Sequence, residues 1–224
     1  MTNKKEKGTY NETLNKSEAF FTKYGKSTII AIVVIIVIAA GYVAYKNYIV
    51  EPRENEASTL LSKSQDLFNQ QQYDKAIKGF INVQSNFNNT EAGNLSNLYI
   101  GLCYAHMQKP NWKKALENVE KFSTSNDQTI SPASQMALGD IYANNNQNDK
   151  AVEYFKKAAE MANSQAMDNI NLSIAPLALK KAGIILESIN KKDDALKIYE
   201  EIKKNYINSP ISQDIDKYIE RAKN

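Results

Sequence analysis

The pattern of apolar and polar positions changes once along the chain. From Ser27 to Tyr45, between Lys26 and Lys46, 19 consecutive residues carry no charge. At about 1.5 Å rise per residue they form a helix of about 28 Å, close to the thickness of a hydrocarbon core. The pattern predicts a transmembrane helix over 27–46, because a soluble helix of this length keeps a wet face. Tyr42, Tyr45 and Tyr48 at one end and Tyr24 at the other suit the membrane interface. From residue 57 onward apolar residues recur three and four apart, the period of amphipathic helices broken by polar turns.

Those helices repeat. "YDKAIKGF" at 73–80, "NWKKALENV" at 111–119, "NDKAVEYF" at 148–155 and "DDALKIYE" at 193–200 align on Ala76, Ala115, Ala151 and Ala195. Each follows a helix that ends in a polar turn. Gly101, Gly139 and Gly183 on the preceding helices allow close approach to a partner helix. Tyr104, Tyr142 and Leu186 fall three positions on, on the same face. Phe80, Val119, Phe155 and Tyr199 follow the alanines by four and pack toward the next repeat.

At these residues the sequence resembles the tetratricopeptide repeat, whose pattern is L-G-x-x-Y, then A, then F or Y. Leu138-Gly139, Tyr142, Ala151 and Phe155 carry it best. The second repeat has Ile100-Gly101, Tyr104 and Ala115, with an insertion around Lys109-Pro110, and the first has Ser64 where glycine or alanine is usual. The resemblance implies an all-α fold: a transmembrane helix, then a helical solenoid of about four repeats. A helix over 211–223, with Ile215, Tyr218 and Ile219 on one side, is expected to cap it. The expected organisation is a short basic tail (1–26), the span (27–46), a linker (47–56) and the repeat domain (57–224), with 164–176 as a loop or lengthened helix.

Charge fixes an expected orientation. The first 26 residues hold Lys4, Lys5, Lys7, Lys16, Lys23 and Lys26, whereas the twenty that follow Tyr45 hold only Lys46, Arg53 and Lys63. Positive charge favours the cytoplasmic side, so the tail stays inside and the repeats are exported. Ala39-Ala40-Gly41 offers a signal-peptidase site, but the apolar run continues past it, which favours an uncleaved anchor. Ala40 and Ala44 form a small-xxx-small pair most simply read as lipid-facing. The segment 51–224 has 21 Lys and Arg against 22 Asp and Glu, a net charge of −1. That is not the footprint of a nucleic-acid binder.

Candidate chemistry is sparse. Gly25-Lys26-Ser27 ends like a phosphate-binding loop, but Phe20 stands where the first glycine is needed, and Asn15 to Glu18 looks like a helix start. Cys103, the sole cysteine, permits no intramolecular disulfide and no cysteine-cluster zinc site. His106, the sole histidine, reads as a helix-surface or groove residue. Asp193-Asp194 and Glu200-Glu201 read as solvated helix faces. No catalytic residue, metal site, cofactor or small-molecule substrate is expected.

Repeats of this family bind peptides or partner proteins on the face of their first helices, by resemblance. Here the exposed positions of that face are expected to be Leu95, Leu98, Leu102, Ala105 and His106, then Met136, Asp140, Ala143 and Asn144. The basic pocket with which some chaperone-binding members hold a C-terminal carboxylate is absent, its positions being Leu61, Gln65, Tyr99, Ala133 and Ala137. The layout as a whole resembles the YfgM-like membrane-anchored family, and its ending, "NYINSPISQDIDKYIERAK", resembles relatives in the Bacteroidota. Its features are the basic tail with Phe20-Phe21, one span, "YIVEPRENEA" and the repeats. The resemblance implies a non-enzymatic periplasmic adaptor beside the Sec translocon and envelope chaperones, with the translocon, a periplasmic chaperone or emerging secretory chains as partners. The alternatives are a structural scaffold for an envelope complex and an enzyme subunit with a site between helices.

Overall fold

The computed structural model describes the backbone of residues 3–224, and side chains at Thr22 and from Tyr24 onward. As side chains, the tail lysines (Lys4, Lys5, Lys7, Lys16, Lys23) and Phe20-Phe21 lie outside the described residues. Helix α1 runs Asn3–Tyr45 and is followed by a π-helical turn, Lys46–Val50. The repeats are built from α2 (Glu51–Asn69), α3 (Tyr73–Asn86), α4 (Glu91–His106), α5 (Trp112–Val119), α6 (Ile130–Asn144), α7 (Asn148–Ser164), α8 (Ile174–Ser188) and α9 (Lys192–Asn205). A 3-10 turn (Pro210–Gln213) and α10 (Ile215–Lys223) close the chain. No strand occurs among the described residues. The chain divides into two units, Met1–Arg53 and Glu54–Asn224.

In the first unit α1 is long and apolar enough to cross a membrane, and none of its apolar stretch is covered by protein. Ile29 to Ile38 are each half to two-thirds exposed, so this is no core helix of a soluble domain. One expectation is corrected here. The helix does not start near Asn15, since the backbone is already helical at Asn3. The segment expected as a linker, 47–56, is helical, and the boundary between the two units falls inside it. Its local chemistry explains the π turn: Pro52 has no N–H and its ring crowds the carbonyl four residues back. Just before it the Glu51 N–H bonds the Lys46 carbonyl, five residues back, which widens the helix.

In the second unit the helices pair as α2/α3, α4/α5, α6/α7 and α8/α9. The first helices also touch each other, α4 against α6 and α6 against α8. Three of the four turns inside the pairs are built alike. Gln71, Asn146 and Asn190 take left-handed backbone (φ 60°, 58° and 63°). Around them Gln72, Gln147 and Lys191 donate back to Leu67, Tyr142 and Leu186. This is the Schellman closure of a helix C-terminus. The α4–α5 turn, which holds the Lys109-Pro110 insertion, is instead closed by Asn111 N–H to the Tyr104 carbonyl.

Close packing occurs where the small residues predict it. A Cβ added to Gly101 would lie 2.4 Å from Val119 Cγ2 and 2.7 Å from the Ala115 carbonyl. At Gly139 it would meet the Phe155 ring at 2.6 Å, and at Gly183 the Tyr199 ring at 2.3 Å. In the first repeat the pair is inverted: the glycine is Gly79 on the second helix, and its missing Cβ makes room for Ser64 Oγ. The departure at Ser64 is thus compensated across the helix pair. Ala76, Ala115, Ala151 and Ala195 are fully buried, and Phe80, Val119, Phe155 and Tyr199 nearly or wholly so. The core falls into two clusters, one around α2–α4 and one from α4 to α10, and Leu95 and Tyr104 touch both.

Helix α10 caps the array as its apolar face predicts, with Ile215 and Ile219 buried. A polar latch holds it: Arg221 donates to both carboxylate oxygens of Glu187 on α8, and Glu187 also accepts the Tyr199 hydroxyl at 2.7 Å. The Arg221 guanidinium beside Glu187, with the Tyr199 hydroxyl, holds that carboxyl below the usual range despite its burial.

Candidate functional site

The face of α4, α6 and α8 carries the residues expected to bind a partner, and the structure sorts them. Leu98 is corrected: it is 6% exposed and belongs to the core, because it sits on the side of α4 turned toward its neighbours. Leu95, Leu102, Ala105 and Met136 are half-buried and pack against the core with part of their surface. His106 is exposed at its edge, yet its ring stacks on Tyr73 at 6.2 Å and meets Phe68 edge-on at 6.1 Å. The ring thus touches the first repeat while the residue stays exposed.

Asp140, Ala143 and Asn144 are brought together, in a groove of about 340 Å³ between α6 and α8 that also includes Lys181 and Ile184. Lys181 Nζ reaches both oxygens of Asp140 at 2.6 and 2.7 Å, which answers the acid in place. Asn144 donates its amide to the Asp140 carbonyl. Of the repeat-packing residues, Tyr104 is half-buried under Lys114, and Tyr142 is buried, stacked on Tyr154, with its hydroxyl donating to Glu120.

A second groove, of about 440 Å³, lies where α2, α4 and the start of α6 meet, and sequence reasoning missed most of it. Leu61, Leu95, Phe122 and Ile130 supply apolar surface; Glu54, Glu91 and Asp127 supply acids. Two of these acids are held by helix N-termini. Glu54 accepts the backbone N–H groups of Glu91 and Ala92 at 2.9 and 3.0 Å, which ties α2 to the first turn of α4. Asp127 accepts from the N–H groups of Thr129, Ile130 and Ser131 and from the Ser125 and Ser131 hydroxyls. Burial pushes the Asp127 carboxyl up, but these hydrogen bonds outweigh it and bring the group down to about 2.

A signal for this start was present in the sequence. Asp127-Gln128-Thr129-Ile130-Ser131-Pro132 and Asn171-Leu172-Ser173-Ile174-Ala175-Pro176 are the same phrase. In both, the acid or amide oxygen accepts the N–H groups two and three residues on. The proline falls in the first turn, where an N–H has no helical partner to lose. The stretch 164–176, expected as a loop or lengthened helix, thus contains the start of α8.

The Asp127 cap has a pH signature. Its folded value lies below the 3.8 of a free carboxyl, so the stability it contributes is fully present above that pH. It is lost as pH falls toward 2. Asp127→Asn is expected to lower stability at neutral pH by about 1 kcal/mol, after allowance for solvent screening. Thermal melts of both proteins at neutral pH and near pH 2 check this, because the difference should shrink to a small fraction where the carboxyl is about half protonated.

Among the described residues no group of His, Cys, Asp and Glu is placed to hold a metal ion. Cys103 is fully buried, and burial pushes its thiol up to about 12, which keeps it protonated and inert at neutral pH.

Three comparisons place this geometry among known proteins. A family model described as a tetratricopeptide repeat-like domain matches residues 18–201. No curated protein sequence matches the chain. Among solved structures, the chain is similar to the nearly identical TPR-like repeats assigned to a kinesin light chain of Podosopora anserina. Identity is 14% and the TM-score 0.59, over 75% of this chain and 86% of that one. A glutamine-to-methionine variant of those repeats gives the same identity and TM-score over 85% of its length. At that identity the likeness is one of fold.

Proposed function

The chain belongs to the tetratricopeptide repeat-like domain family, and from that premise we propose that it is a non-enzymatic, membrane-anchored adaptor for protein partners. The fold is consistent with a protein–protein interaction role. The observation that carries the proposal is the coexistence in one chain of a bare apolar helix long enough to cross a membrane and a repeat unit with two open grooves. The anchor fixes where the grooves can reach; the grooves take up chain segments.

The location in this proposal is the outer side of a bacterial inner membrane, near the Sec translocon and envelope chaperones. Support comes from the lysine-rich tail ahead of the span and from the resemblance to the YfgM-like family. Protease added to spheroplasts should digest the repeats and spare the tail; protected repeats would overturn this orientation. Photo-crosslinkers at Asn144 and Ile184 should trap translocon, chaperone or emerging secretory chains in native membranes. Recovery of none of these from folded protein would overturn the adaptor role, and a single envelope-assembly partner would favour the scaffold instead.

A further inference from the structure

The two grooves differ in charge, and the difference names a chemistry. In the α6–α8 groove Lys181 answers Asp140. The groove of α2, α4 and α6 has three carboxylates and no lysine or arginine among its lining residues. Its apolar surface is open: Ile130 is 42% exposed, and Leu95 and Phe122 are half-buried.

We infer that the α2–α4–α6 groove docks a basic amphipathic segment of a partner protein, with apolar side chains against Leu95, Phe122 and Ile130 and a lysine or arginine against Glu54 and Glu91. The inference rests on the adaptor reading and names the chemistry of what is bound. Charge complementarity selects the occupant. A carboxylate offers about four lone-pair positions; Glu54 uses two of them on α4 and a third on the Ser58 hydroxyl, which leaves one for a ligand. Glu91 is exposed in the first turn of α4. Asp127, saturated by its own hydrogen bonds, contributes a fixed negative field rather than a contact. An acidic segment would be repelled by this rim, and a neutral polar one would gain hydrogen bonds without charge pairing. A purely apolar one would leave the Glu91 carboxylate facing hydrocarbon without an opposite charge.

The test uses the full chain in nanodiscs of zwitterionic lipid, with empty nanodiscs as baseline. Two short fluorescent peptides serve as probes, one alternating leucine with lysine, the other leucine with glutamate at the same positions. By anisotropy the lysine peptide should bind at least about tenfold more tightly than the glutamate peptide. Glu91→Gln should weaken the lysine peptide about two- to fivefold and flatten its salt dependence. Ile130→Ser, at a half-open position, should weaken it about tenfold. Equal binding of both peptides, or lysine-peptide binding unchanged by both substitutions, would overturn the inference. So would no binding to a protein whose helical circular dichroism is intact. If crosslinkers at Ile184 still capture partners while the lysine peptide fails, the adaptor reading stands and only this inference falls.

Discussion

Gly93→Ala is expected to cost about 3 kcal/mol or more, because the added methyl has nowhere to go but into backbone. Its Cβ would lie 1.9 Å from the Phe87 carbonyl oxygen and 2.7 Å from the Phe87 carbonyl carbon. No rotamer can relieve a clash with main chain, so the start of α4 must move away from the turn before it. That turn holds several bonds at once: Thr90 Oγ1 accepts from Gly93 N–H and donates to the Phe87 carbonyl, while Glu54 holds Glu91 and Ala92. Moving the helix strains them together. Denaturant titration of the full chain in detergent, followed by alkylation of Cys103 in the same helix, measures the effect. The thiol is buried and unreactive until α4 opens. Gly79→Ala is the control. It meets the end of a side chain, Ser64 Oγ, at 2.3 Å, so pairing it with Ser64→Ala should recover most of the loss. A Gly93→Ala protein as stable as the parent would sink the packing argument.

Tyr199→Ala is expected to destabilise the carboxyl-terminal repeat by about 3–5 kcal/mol. Tyr199 is fully buried between α8 and α9, its ring is the surface against which Gly183 packs, and its hydroxyl reaches Glu187. Alanine removes the ring, leaves a cavity and takes one partner from a carboxylate that also anchors Arg221 of the cap. Tyr199→Phe keeps the ring and should lose only about 1.5 kcal/mol, the worth of a hydrogen bond to a charged group. Thermal melts of the pair separate the two terms. A phenylalanine protein as unstable as the alanine one would mean that the latch, not the packing, holds the last repeat. Gly183→Ala should cost less in a Tyr199→Leu background than in the parent, because the ring it strikes is gone.

The repeat was legible at residues whose chemistry is local. Gly101, Gly139 and Gly183, the buried alanines and the aromatic positions four later had to pack as they do, because a helix places residues three and four apart on one face whatever it meets. The grooves were less legible. Leu98 and Leu102 lie on one helix four residues apart, yet one is core and the other half open, since the boundary of that face is drawn by which neighbours crowd it. His106 and Asp140 looked available and are engaged, by Tyr73 and Lys181, which lie 33 and 41 residues away in the chain.

The bare apolar helix, the paired helices, their contact residues and the closing helix each follow from a short-range period or an uncharged run, and so could be read from the order of residues. That Glu54 caps α4 from 37 residues away and that Gly79 compensates Ser64 emerged from the packing of the helices. The same packing sets two of three acids around one groove on helix N-termini. Those are contacts between segments distant in the chain, and their geometry is set by how the repeats stack.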